Sequence, residues 1–170
     1  MRTRTVLSLL LAAGITATAR AAAPQVTAGP TSLGTFADWT AATYKAGAET
    51  ICYAFTRPTH SSPEVPGRGE VLLTVTQRPG SRDEAAVTAG FQFAKGASAS
   101  VSVGDTKLEF YTSGDAAFAR DGAAAVHAFK IGLTAVAHSP GASGKMVDDS
   151  FSLRGFSDAY DAIVKACPAK

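Results

Sequence analysis

The chain has 170 residues, 16 of them basic and 14 acidic, for a formal net charge of +2, and it carries two cysteines. A balance this close to neutral excludes electrostatic capture of nucleic acid or of an anionic membrane as its organising principle. The length sets one domain as the expectation, large enough to bury about 70% of its unfolded surface.

The first residues carry a processing signal. Arg2 and Arg4 precede an apolar run from Val6 to Ala19, and Ala19-Arg20-Ala21 fits a small-x-small cleavage site. This pattern predicts a secretory signal peptide over residues 1–21. A retained membrane anchor is the alternative, but the run is shorter than the roughly 20 residues that span a bilayer. No cysteine follows the run to take a lipid. Losing Arg2, Arg4 and Arg20 leaves 13 basic against 14 acidic residues, a net charge of −1. The basic balance therefore belongs to the leader.

Residues 22–34 are rich in Ala, Pro, Thr and Gly and show no periodicity, which predicts a mobile lead-in. A single domain is expected over 35–168. Its order begins near Phe36, and Trp39, the one tryptophan, is predicted to be a core anchor.

Glu49 to Phe55 alternates as a strand, with Ile51, Tyr53 and Phe55 on one face and Cys52 on the other. Thr56 to Gly69 holds Pro58, Pro63, Pro66, Gly67 and Gly69, and reads as a long loop. Strands are then predicted over Val71–Gln77, Ala86–Phe93, Ser98–Val103 and Lys107–Tyr111. Pro79-Gly80 and Gly104-Asp105 supply turns, the second a tight hairpin. A short segment runs through Phe118.

Asp121 to Ile131 predicts a helix capped by Asp121 and ended by Gly132. Leu133–His138 reads as a strand, Ser139–Gly144 as a loop and Val147–Leu153 as a strand. A last helix is expected over Asp158–Ala166 with Ser157 as N-cap. Phe156, Tyr160, Ile163, Val164 and Cys167 recur on one face of it. Short strands, Gly turns and these helices predict a mainly β fold: a largely antiparallel β-sandwich or flattened barrel with one or two packed helices, including a C-terminal helix.

Cys52 and Cys167 are expected to form a disulfide, since a pair of cysteines in an exported chain usually bridges in an oxidising compartment. Two buried free thiols are the alternative. The chain-entropy model assigns roughly 5 kcal/mol to a closed loop of this length.

The matching pieces run in order over nearly the whole of this predicted domain. They are Trp39-Thr40 with Tyr44-Lys45, Ile51-Cys52-Tyr53-Ala54 with Pro58, and Thr74-Val75-Thr76-Gln77-Arg78-Pro79. Ala89-Gly90-Phe91-Gln92-Phe93, Gly114-Asp115-Ala116-Ala117-Phe118 and Phe129-Lys130-Ile131-Gly132 follow. The most specific is Asp149-Ser150-Phe151-Ser152-Leu153-Arg154-Gly155-Phe156 with Ala159 and Cys167. With these residues the chain resembles the invasion-associated locus B family of exported bacterial proteins. It departs from the family in having Phe118 where Trp is common and Phe151 where Tyr is common, and in the character of His138–Lys145.

The resemblance implies a periplasmic or outer-membrane-associated protein of a Gram-negative bacterium with a general envelope role. It transfers no catalytic residue.

The residues themselves supply little chemistry. Gly141-Ala142-Ser143-Gly144-Lys145 is not a nucleophile elbow, because Lys145 stands where Gly is required. Gly144-Lys145 lacks the remainder of a phosphate loop. His60, His127 and His138 are scattered, without metal-ligand spacing to one another. Asp148-Asp149 beside His138 could in principle hold a cation, but reads first as strand-edge charge. No cofactor and no metal site is expected.

The leading expectation is a non-enzymatic envelope module that binds a protein of the envelope or of a host surface through the Thr56–Gly69 and Ser139–Gly144 loops. The alternative is a periplasmic small-ligand carrier or an uncharacterised hydrolase, which a pocket with converging polar groups would favour.

Overall fold

A computed structural model describes residues 29–141 and 144–169. The predicted signal peptide, most of the lead-in and the middle of the Ser139–Gly144 loop lie outside these residues. The described chain holds β1 (Thr31–Phe36), β2 (Trp39–Ala46), β3 (Glu49–Thr56), β4 (His60–Ser62), β5 (Leu72–Arg78) and β6 (Ser81–Thr88). It continues with β7 (Ser98–Val103), β8 (Thr106–Ser113), β9 (Ala116–Ala119), α1 (Gly122–Ile131), β10 (Thr134–Pro140), β11 (Met146–Ser152) and α2 (Phe156–Ala166).

All eleven strands form one antiparallel sheet in the order β1-β2-β3-β5-β6-β9-β8-β7-β10-β11-β4. The sheet curls back on itself. Trp39, at the start of β2, donates its indole N–H to the Ser152 carbonyl of β11 at 2.9 Å. The Asp38 amide likewise reaches the Arg154 carbonyl at 3.3 Å. The mainly β, antiparallel fold with two packed helices, one of them C-terminal, is thus the one expected.

The strand alternation decides which side chains meet inside. Cys52, Ala54, Leu73, Val75, Val87, Val101, Phe110, Ala137 and Phe151 turn inward and are buried. They form one cluster with Ala125 and Phe129 of α1 and with Phe156, Ala159 and Ile163 of α2. Trp39 is fully buried and meets Phe156 edge-on at 4.8 Å between ring centres. Phe129 meets the same ring from α1 at 5.5 Å, so Phe156 joins both helices to the sheet.

Asp121 caps α1 as expected, its carboxylate accepting from the Ala124 amide at 2.9 Å. Gly132 ends the helix.

Four local expectations change. Thr31–Gly34, read as lead-in, belongs to β1, which is held by its register with β2 rather than by any alternation of its own. His60–Ser62, inside the predicted loop, forms a short edge strand on β11, ended by Pro63.

The strand predicted over Ala86–Phe93 instead starts at Ser81 and stops at Thr88. Gly90 then adopts a left-handed φ of 71° and lies against Gly69, whose amide donates to the Gly90 carbonyl at 2.8 Å. A side chain on Gly90 would sit 2.6 Å from the Gly69 carbonyl oxygen.

The last helix begins at Phe156, and its N-cap is Gly155 (φ 83°), not Ser157. A β-carbon on Gly155 would stand 2.0 Å from the Phe36 carbonyl oxygen. The close passage of β1 over the helix start therefore selects glycine. On α2 the deepest residues are Phe156, Ala159 and Ile163. Tyr160 and Val164, expected beside them, are only half-buried.

Cys52 on β3 and Cys167 at the end of α2 are joined by a disulfide, with Cα atoms 6.0 Å apart.

Candidate functional site

The two loops expected to be exposed lie at one end of the sheet. Ser61 pairs with Asp149, and Ser62 with Asp148. The chain after Ser62 therefore leaves the sheet beside the tip of the β10–β11 hairpin. His60, Ser62, Pro63, Glu64 and Pro66 are exposed on one side of this rim, and Lys145 and Met146 on the other.

The loop is braced rather than slack. The Arg68 guanidinium makes a two-pronged pair with the Asp149 carboxylate at 2.8 and 2.6 Å. Its Nε donates to the Ala89 carbonyl at 2.5 Å, and its carbon centre lies 5.1 Å from the Phe91 ring centre. Ser61 adds a hydroxyl to Asp149 at 2.6 Å. The Asp149 side chain is wholly buried and that of Arg68 is 8% exposed. At the loop's other end the Thr59 amide donates to the Ser150 carbonyl at 2.8 Å.

Asp149 is thus no strand-edge charge. Strand alternation turns it inward, where only a partner that satisfies both oxygens makes an ion tolerable.

Its neighbour Asp148 faces the opposite side of the sheet. There it accepts from His138 Nδ1 at 2.8 Å, while His138 Nε2 lies 3.1 Å from the Ser102 hydroxyl. The three residues come from β11, β10 and β7, brought together by register. The connectivity is that of a nucleophile, a base and the carboxylate that orients the base.

The surroundings are those of a sheet face. Ser102 stands mid-strand, paired with Lys107 on one side and Val136 on the other. Its backbone amide is therefore committed to the ladder and not free to stabilise an oxyanion. Half of the Asp148 side chain is exposed.

His60 is on β4 and His127 on the exposed side of α1. Neither joins His138 in a metal-ligand group, and no three His, Cys, Asp or Glu side chains converge among the described residues.

A cleft of about 430 Å³ opens at the C-terminal end of α1, lined in part by Val103, Ala128 and Gly132. Ile131 and Leu133 also line it and are 70% and 80% exposed. Thr106 and Thr134 are its only polar side chains. It can receive an apolar group, but it offers no acid, base or charge.

Sequence reasoning also missed a third network, between α2 and β6. The Tyr160 hydroxyl donates to Asp83 at 2.7 Å, and the same carboxylate oxygen accepts from Gln77 at 2.6 Å. Burial, and then the hydrogen bond to the Asp83 carboxylate, push the Tyr160 phenol up to about 12. The fully buried Gln77 was legible only as one more polar position on an alternating strand.

The family model described as Invasion associated locus B (IalB) protein matches residues 39–164. The chain belongs to this family. The match takes in the Arg68–Asp149 brace and both rim loops, while β1 and Cys167 fall outside it. No curated protein and no solved structure gives a match. The disulfide fits an extracellular or periplasmic setting.

Proposed function

We propose that the chain is a non-enzymatic protein of the bacterial cell envelope that binds another protein or a cell surface through the rim formed by the Thr56–Gly69 loop and the β10–β11 hairpin. In this reading residues 1–21 are removed on export, the residues before β1 lead in, and the chain from Thr31 to Cys167 forms one domain in the periplasm or at the outer membrane.

The brace on the loop carries the proposal. A charged pair buried at the root of a surface loop is expensive to desolvate, and breaks even only with its hydrogen bonds complete. Here it fixes the shape of an exposed, proline-rich segment. A fixed surface loop loses little freedom on binding, which favours affinity.

The test is a photo-crosslinking pull-down from the protein's own cells after the envelope fractions are separated. The crosslinker is placed at Glu64 or Lys145, with Asp158 on the outer side of α2 as control. One or a few partners recovered repeatedly from the rim positions and not from Asp158 are expected. Equal recovery from all three, or a free monomer throughout, counts against the rim.

The Ser102–His138–Asp148 chain favours a second reading, a hydrolase acting on small esters. A fluorophosphonate probe decides it. Labelling at Ser102 that is lost in His138→Ala establishes a reactive serine; an unlabelled Ser102 leaves these residues as cross-strand support.

A further inference from the structure

The two edges of the sheet are finished differently. β4 is three residues long and stops at Pro63, which has no amide to donate. Short edges and proline are the usual protection against strand addition. β1, at the other edge, has six residues, Thr-Ser-Leu-Gly-Thr-Phe, with no charge and no proline among them.

Among the described residues, no hydrogen bond made by Thr31–Thr35 leaves the β1–β2 ladder. Thr31, Ser32, Leu33 and Thr35 are all exposed.

Beside this edge lies an apolar strip on the outer face. Tyr44 pairs with Ile51, and Ala42 with Tyr53. The rings of Tyr44 and Tyr53 lie 5.9 Å apart, and those of Tyr53 and Phe55 6.0 Å apart. Leu33 and Tyr44 are each 37% exposed. An open row of backbone donors and acceptors thus adjoins half-exposed aromatic surface.

We propose that β1 is a self-association edge, on which a second copy of this chain adds its own β1 antiparallel about a two-fold axis. The charge pattern favours the copy. An uncharged strand meets itself without like-charge opposition, which would otherwise destabilise directly facing residues. The blocked β4 edge closes the alternative of head-to-tail growth, so the contact is isologous and stops at a dimer. The bulge at Leu33 interrupts the ladder and keeps the paired run short. The resulting dimer is weak and concentration-dependent, as small interfaces are. This association is independent of what the rim binds.

Sedimentation of the chain, purified as the cell processes it, from low micromolar to millimolar concentration tests the proposal. The wild type is expected to shift from monomer to a species of twice the mass. The double variant Thr31→Lys/Leu33→Lys should stay monomeric with an unchanged melting temperature. A wild type that remains monomeric throughout overturns the proposal, as does a dimer that survives in the double variant. A monomer that dimerises only after residues 22–30 are removed also overturns it, by showing that the chain's own N-terminal segment takes the edge. Single cysteines placed along 31–35 add a structural readout. Crosslinking of a position to its own copy supports the two-fold arrangement, and crosslinking only to other surfaces refutes it.

Discussion

Arg68 and Asp149 are 81 residues apart in sequence, and each is the other's buried counter-charge. Removing either partner strands a buried charge, so Arg68→Met or Asp149→Leu alone should destabilise the fold by roughly 3–5 kcal/mol. Replacing both with apolar residues should cost less than the two single changes added together. Urea denaturation of the four proteins in a double-mutant cycle measures the difference. Tyr160 gives a second prediction at this scale. Its folded value of about 12 lies above the ordinary 10, so folding favours the neutral phenol. That contribution is complete below about pH 10 and is lost as the pH rises through about 12. Tyr160→Phe should flatten this alkaline limb of stability, and should remove the late component of the phenolate absorbance titration. Neither pair was legible from the sequence. Strand alternation shows that Asp149 turns inward while Asp148 turns out, but it names no partner, and the residues that meet are set by register between distant strands.

At the scale of elements, local pattern carried β3, β5, β7 and β8, where alternation and the Gly104-Asp105 hairpin act within a few residues. The α1 caps were equally local. β1 and β4 were not readable, because neither has a period of its own and each exists through its neighbour. The start of α2 was misplaced for a related reason. Ser157 has the chemistry of a cap, but β1 passes so close that the position before Phe156 must be glycine. Gly155→Ala should therefore destabilise the protein by more than about 1 kcal/mol, combining a left-handed backbone with a clash against Phe36. Ser157→Ala, at an exposed position in the first turn, should change stability by no more than about 0.5 kcal/mol. Thermal melts of the two variants separate the two assignments of the cap.

Across the whole molecule, the disulfide joins β3 to the end of α2 over a separation of 115 residues. Cys52→Ser and Cys167→Ser should each lower stability by a few kcal/mol, to the same extent as the double variant. If all three melted like the wild type, the bond would contribute nothing. This link was readable because the chain offers only two cysteines. The curl of the sheet was not, since it rests on Trp39 reaching Ser152, a contact that no short-range pattern encodes. The position of Phe156 has a further consequence in time. All eleven described strands precede α2 in the chain, so the helix whose ring meets Trp39 is made after them. While the chain is being synthesised, the apolar faces of Trp39 and Phe129 await a ring that does not yet exist, and Cys52 awaits its partner sulfur. Until Phe156 and Cys167 have been added, both the junction of the helices with the sheet and the cross-link from β3 to α2 are out of reach.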